Sequence, residues 1–280
     1  MYICGQKKLL ERIDTLIEQS RFPRFCILIG GAGFGKKVIS DYIARKLNAV
    51  FVPCETTAES VRNTVENAYT TPDKTLYMFY DCDTMSESAE NSLLKVTEEP
   101  PNDSYFIMTF SDISNVIATI LNRGTVFFMD AYSEDDIREY IARKHFEFNE
   151  KLTNVVYNVC VCPADVQNAD KCDIESVYDL ANKFMQFIGN ANLANELKIA
   201  QSLSTKQDDG KMNPMLFMRC VLYSANKCII RGCNSDDAFK YHSIISETVK
   251  AIRDLQTKGA NRQIVIDNWI INTHMAVSET

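Results

Sequence analysis

Tryptophan is almost absent, with one residue in 280, and there are three histidines. His145, His242 and His274 are not at finger spacing, and the ten cysteines include no Cys-x-x-Cys pair, so no zinc and no other metal is expected. The looser sets Cys160, Cys162 and Cys172, or Cys220, Cys228 and Cys233, lack the paired knuckles a zinc site needs. Cysteines scattered through apolar runs read instead as reduced, mostly buried thiols. No stretch approaches eighteen uninterrupted apolar residues, and Met1 to Lys8 lacks a signal-peptide core. The expectation is a soluble cytoplasmic chain with no membrane partner. An excess of positive charge is missing too: 30 Lys and Arg face 37 Asp and Glu, giving a net charge of -7. A broad basic surface for nonspecific nucleic-acid binding is thereby excluded, although a local basic strip, or a place in an assembly whose other chains are basic, is not.

What is present is ordinary globular material, 46% hydrophobic and 24% charged, enough for a sizeable core. After an opening helix (Lys7 to Gln19), apolar runs at Phe25 to Ile29, Val50 to Val52, Leu76 to Tyr80, Tyr105 to Phe110 and Val126 to Met129 read as strands. Helical segments at Lys36 to Leu47, Ala58 to Tyr69, Ser86 to Thr97 and Ile113 to Leu121 alternate with them. Near-continuous apolar strands separated by helices predict a parallel sheet covered on both faces. From Ser133 onward helical periodicity takes over, opened by the capping signal Ser133-Glu134-Asp135-Asp136. Further helices are expected at Glu150 to Val161, Ile174 to Ile188, Leu193 to Leu203, Pro214 to Arg231, Asp236 to Gln256 and Asn261 to Ala276, with a turn cluster at Thr205 to Lys211. The division is 1–131 as an α/β domain, 132–173 as a small helical domain and 174–280 as a larger one.

Gly30-Gly31-Ala32-Gly33-Phe34-Gly35-Lys36-Lys37, between a strand and a helix, has the form of a phosphate-binding loop. Backbone N–H groups at the helix start and the Lys36 ammonium would face an anion. One member departs: the Ser or Thr whose hydroxyl ligates magnesium is replaced by Lys37. Lys37 either points to solvent or sits near the metal's place, so ATP or ADP is a candidate ligand and magnesium is not expected. The turn Asp81-Cys82-Asp83 follows a strand, where a phosphate-loop protein carries its metal-holding acids.

The next stretch, with Ala89, Asn91, Leu93, Leu94, Lys95, Glu98, Glu99, Pro100 and Pro101, resembles the clamp-loader branch of the AAA+ ATPases, which reads A-x-N-x-L-L-K-x-x-E-E-P-P there. Tyr105 to Thr109 resembles that family's fourth strand, and the resemblance implies that Thr109 senses the terminal phosphate. Ile117 to Gly124 resembles its Ser-Arg-Cys stretch, with Arg123 implied as a finger reaching a neighbouring subunit's ATP site and Asn122 and Gly124 departing from the pattern.

The implied fold is a P-loop AAA+ parallel-sheet domain followed by a helical lid and an all-α collar. Within the family the chain looks most like delta-prime, the stator of bacterial DNA polymerase III loaders, or a phage relative, though it lacks the zinc module those subunits often carry. Aligned with the family, Tyr80 occupies the magnesium-orienting position and Asp81 that of the catalytic Glu; a shift of one makes Asp81 the metal residue and Cys82 the failed base. Asp165, Val166 and Gln167 fall where the lid normally presents an Arg.

The resemblance implies a noncatalytic subunit of a DNA sliding-clamp loader in DNA replication. Its implied partners are sister subunits in a hetero-pentamer, the sliding clamp, and primer-template DNA only within the assembly. The alternative is an atypical ATPase in which Asp81 and Asp83 hold metal and activate water. Plainer readings remain for four residues: Lys95, Glu98 and Glu99 as a solvated helix end, and Trp269 as core.

Overall fold

The computed structural model describes residues 2–101, 103–188, 193, 196–199, 213–257 and 259–278. Most of the helix expected over Leu193 to Leu203, and the turn cluster Thr205 to Lys211, lie outside the described residues. The chain divides into two compact units, Met1–Asp136 and Ile137–Thr280.

The first unit holds five parallel strands, β1 Phe25–Ile29, β2 Val50–Cys54, β3 Thr75–Phe79, β4 Ser104–Phe110 and β5 Thr125–Phe128, in the order β2-β3-β4-β1-β5. All five residues of β1 and of β3 are buried, whereas the edge strands β2 and β5 are partly exposed. Pro53 sits on the β2 edge, where its missing N–H removes no ladder bond that a central strand would need.

The alternation of side chains splits the sheet into two cores. On one face Phe25, Ile27 and Ile29 join Tyr77, Phe79, Phe106 and Met108 against α3 (Ala58–Thr70) and α4 (Glu87–Glu98). On the other, Cys26 and Leu28 join Leu76, Met78 and Ile107 against α1 (Lys7–Glu18) and α2 (Lys36–Lys46). Each fully buried Ile, Leu or Phe contributes about 1.5–3 kcal/mol, which is why a strand apolar on both sides belongs in the middle of such a sheet.

The helix expected over Ile113 to Leu121 is broken in two. A 3-10 turn, Ile113–Asn115, is followed by extended Val116 and Ile117 and then the short α5, Ala118–Leu121. The break has two causes. Asp112 accepts from the Ser114 N–H at 2.8 Å, ending the strand in a tight local turn, and the Asp83 carboxylate from a distant loop holds Asn115. Gly124, just after α5, is fitted against β1: a Cβ there would lie 2.7 Å from Ile27 Cδ1 and 2.9 Å from Phe25 Cε1.

The capping signal at Ser133 forms as a reciprocal box. Ser133 Oγ accepts from the Asp136 N–H at 3.1 Å and Asp136 Oδ2 accepts from the Ser133 N–H at 2.9 Å, starting α6, Glu134–Lys144.

The second unit continues with α7 Glu150–Val159, α8 Pro163–Lys171, α9 Ile174–Phe187, α10 Pro214–Ile230, α11 Ser235–Gln256 and α12 Arg262–Ser278. Asn149, Asn213 and Asn234 cap α7, α10 and α11 through their side-chain oxygens. The core is built on Trp269, whose ring centroid lies 5.0 Å from Phe184 and 6.0 Å from Phe217. Its indole N–H donates to Thr248 Oγ1 at 3.1 Å, so the tryptophan is core and its polar atom is satisfied. Eight of the ten cysteines are buried, and burial pushes the Cys54 thiol up to about 11 and the Cys162 and Cys220 thiols up to about 12. Among the described residues, no helix is long and apolar enough to cross a membrane.

Because neither Ile27 nor Phe25 has room to retreat within a filled core, Gly124→Ala is expected to destabilise the first unit by about 1–3 kcal/mol. A urea unfolding series against the parent chain measures this, and a midpoint within error of the parent refutes the fit.

Candidate functional site

Parallel strands bring every strand's C-terminal end to one edge of the sheet, and the motif residues follow those ends. Gly30 extends β1 by donating its N–H to Phe110 O at 3.0 Å, and the loop then turns through Gly33 (φ 79°) and Gly35 (φ 87°) into α2. Both angles lie in the left-handed region, where a side chain is strained.

Phe34 folds back inside the loop. A Cβ on Gly31 would be 3.1 Å from its ring, which also meets Tyr132 edge-on at 5.4 Å between centroids. The Tyr132 hydroxyl donates to Phe34 O at 2.6 Å. Tyr132 was not anticipated from the sequence. Its signal was position alone, shortly after the last strand of a parallel sheet, at the edge where the loop also lies.

Lys36 is anchored by its own loop. Its ammonium donates to Gly30 O at 2.6 Å and Gly31 O at 3.2 Å. Burial pushes its pKa below the ordinary lysine value, partly offset by the Asp81 and Asp83 carboxylates. Lys37 is exposed but not idle in solvent: its Nζ lies 5.5 Å from the Tyr80 ring centroid, in cation–π range. The Tyr80 hydroxyl is buried with no hydrogen-bond partner among the described residues.

Asp81 adopts a left-handed conformation (φ 45°), and its N–H donates to the buried Thr109 Oγ1 at 3.0 Å. Thr109 pairs with Leu28 in the sheet register, which puts it beside the root of the loop. Asp83 is engaged elsewhere. It accepts from the Ser111 N–H at 3.0 Å, the Ser111 hydroxyl at 2.7 Å and Asn115 Nδ2 at 2.8 Å. Desolvation raises its pKa, but the Ser111 and Asn115 hydrogen bonds outweigh it and hold the carboxyl below the ordinary aspartate value. Gly30, Gly31, Gly33, Phe34, Gly35, Lys36, Lys37, Asp81, Asp83 and Thr109 thus gather at one edge. What they offer chemically is a backbone cradle and a lysine suited to an anion. Beside it, Lys37 lies over the Tyr80 ring and Asp83 already accepts from Ser111 and Asn115.

Arg123, at the end of α5, has its Nε 2.7 Å from Glu98 Oε1 and donates a terminal N–H to the same oxygen, while Nη1 donates to Thr119 O at 2.6 Å. Its side chain is 30% exposed. Glu98 is therefore more than a solvated helix end, and nothing in its local sequence marked it as the partner of a residue 25 positions away. Lys95 likewise lies over the Tyr69 ring, at 5.6 Å. In the second unit Asp165 forms an ion pair with Arg219 and accepts from the Val161 N–H at 3.0 Å, Gln167 donates to the Tyr140 hydroxyl at 2.7 Å, and Val166 is buried.

Residues 55–132 match the family described as DNA polymerase III, delta subunit. The chain is 28% identical over 191 residues to the DNA polymerase III subunit gamma of Buchnera aphidicola subsp. Schizaphis graminum, covering 55% of this chain and 52% of that protein. It spans about half the length of that curated relative. Among solved structures, a DNA polymerase III gamma subunit-related protein from Thermotoga maritima aligns over 96% of this chain and 99% of its own, with TM-score 0.51 and 15% identity. The RuvB Holliday junction branch migration motor of the same organism aligns over 82% and 78%, with TM-score 0.52 and 15% identity. With the sheet order, these likenesses establish the fold as an α/β AAA+ domain accompanied by a substantial helical part.

The depressed Asp83 carboxyl stabilises the fold fully above the unfolded aspartate value near pH 4, and that contribution disappears as pH falls through the lower folded value. Asp83→Asn is thus expected to lower stability by about 1–2 kcal/mol at pH 7, with the gap to the parent closing below about pH 4. Urea midpoints across pH 3 to 7 read this out; a pH-independent gap contradicts it. Tyr80→Phe, which removes an unpaired buried hydroxyl but keeps the ring beneath Lys37, is expected to be neutral or stabilising by up to about 1 kcal/mol in the same assay.

Proposed function

We propose that this chain is a noncatalytic subunit of a DNA sliding-clamp loader, of the delta-prime type, working in the cytoplasm during DNA replication. The likeness to DNA polymerase III gamma and delta subunits supports the assembly. The observation that carries the noncatalytic reading is the Lys37–Tyr80 contact. In a hydrolysing phosphate loop position 37 supplies the magnesium-ligating hydroxyl. Position 80 supplies the orienting acid in one alignment, and in the other Asp81 keeps that role and Cys82 replaces the base, so either leaves one acid missing. Here Lys37 and Tyr80 satisfy one another as cation and ring. The atypical-ATPase alternative needs Asp83 free to hold metal, and the Ser111 and Asn115 bonds argue against it.

On this reading residues 132–173 act as a lid and 174–280 as a collar, and the chain works through its interfaces with sister subunits in a hetero-pentamer. The clamp, and primer-template DNA within the assembly, are the further partners. Exposed Phe239, Ile264 and Met275 on the late helices support a surface meant to be covered. On the same reading the loop holds ATP or ADP as a static ligand without magnesium. Arg123 is the chain's chemical contribution, given in trans: the pair with Glu98 holds the guanidinium at the end of α5, and a neighbour's terminal phosphate would compete with that carboxylate for it.

Reconstitution with gamma-type ATPase subunits and their clamp tests the assignment. Arg123→Lys, which keeps the charge but not the planar fork, is expected to reduce clamp- and DNA-stimulated phosphate release several-fold, whereas Lys36→Ala leaves it unchanged. An undiminished rate with Arg123→Lys and Arg123→Ala sinks the trans role. Phosphate release by the chain alone that depends on Lys36 sinks the noncatalytic one.

A further inference from the structure

The helical unit carries a groove of about 740 Å³ between α7, α10 and α11. Along α10 it is lined by Arg219, Leu222, Tyr223, Asn226, Lys227 and Ile230, spaced i, i+3, i+4, i+7, i+8 and i+11, which is a single helical face. The opposite face of α10, with Phe217, Cys220, Val221 and Ala225, is the one buried in the core. The groove side of the helix mixes the apolar Leu222, Tyr223 and Ile230 with Arg219, Asn226 and Lys227, and it has no covering element among the described residues. Ile230 is 84% exposed. Val249 and Ile252 from α11 continue the apolar floor, and Val161, 44% exposed, stands beyond the end of α7.

The rim is basic. Lys227, Arg231 and Arg253 border the groove, and none has an ion-pair partner among the described residues. Arg219 is neutralised by Asp165. Among the described residues no acidic side chain lines the groove, in a chain whose net charge is -7. From Arg219 to Ile230 the stripe runs about 16 Å, or roughly three helical turns.

We propose that this groove docks an acidic amphipathic helix of a partner polypeptide, about three turns long, with an apolar ridge against Leu222, Val249 and Ile252 and carboxylates against Lys227, Arg231 and Arg253. An aliphatic floor with a charged rim is the form of helix-in-groove recognition. A nucleic-acid strand is a poorer fit, because bases need open aromatic faces, and Tyr223, the one aromatic residue in the lining, already packs against Tyr178 and Lys227. The groove lies wholly within the helical unit, and the inference stands apart from the loader assignment.

The test uses the full chain and a fluorescein-labelled peptide of about twelve residues, with Leu at i, i+3, i+4 and i+7 flanked by Glu, read by anisotropy. Saturable binding is expected, about tenfold weaker for the exposed-rim variant Arg231→Glu/Arg253→Glu and weaker again in high salt. Leu222→Ser/Ile252→Ser, checked for native circular dichroism, is expected to lose binding, and a peptide with Lys in place of Glu is expected not to compete. No saturation at millimolar peptide, unchanged affinity on rim reversal, or tighter binding of a labelled single-stranded oligonucleotide of equal length would each overturn the proposal.

Discussion

The position of β1 between β4 and β5 is the constraint on which the first unit depends. Pairing Ile29 with Phe110 and with Phe128 fixes where β1 ends, and the Gly30 loop can begin only there. The same ladder sets Leu28 beside Thr109, and the β3–β4 register sets Phe79 beside Met108. Tyr80 and Asp81 thereby arrive next to the loop, although some fifty residues separate them from it. Register is strongly specified because β1 and β3 are buried on both faces, and a slip of one residue would exchange the Phe25–Ile27–Ile29 face with the Cys26–Leu28 face. Ligand sites of open α/β sheets lie at the carboxyl edge for this reason.

The charged groups at that edge are held by neighbours within the same unit. A phosphate loop normally leaves its lysine, a hydroxyl and nearby carboxylates for a nucleotide and its metal. Here Lys36 turns to its own loop carbonyls, Lys37 to the Tyr80 ring and Asp83 to Ser111 and Asn115. Each group has found an internal partner of opposite or complementary character. Such partners lower the cost of keeping charges at a half-buried edge, and they also give a ligand something to displace.

The helical unit follows a different logic. Trp269, Phe184 and Phe217 fix where α9, α10 and α12 meet, and the Trp269 indole is satisfied by Thr248 of α11. This aromatic core uses one face of α10. The other face carries Leu222, Tyr223 and Ile230 among Arg219, Asn226 and Lys227, and lines the groove.

The sheet was legible because burial on both faces writes unbroken apolar runs, and strands such as Phe25–Ile29 fall where the runs are. The Ser133–Asp136 cap was legible because both halves of a capping box lie within one turn. Local pattern failed where distant residues decide. Ile113 to Leu121 has a helix's periodicity, but Asp83 grips its first turn and Val116 and Ile117 run extended. The sequence by itself determined most of the elements, the edge at which the motif residues gather and the lysine at position 37 of the loop. Only the tertiary structure decided what those residues hold: Lys37 over Tyr80, Tyr132 on Phe34, Glu98 on Arg123. The reason is physical. Secondary structure follows short-range burial and backbone preferences, whereas an ammonium or a carboxylate takes whichever complementary group the fold brings within reach, and sequence separation carries no information about that.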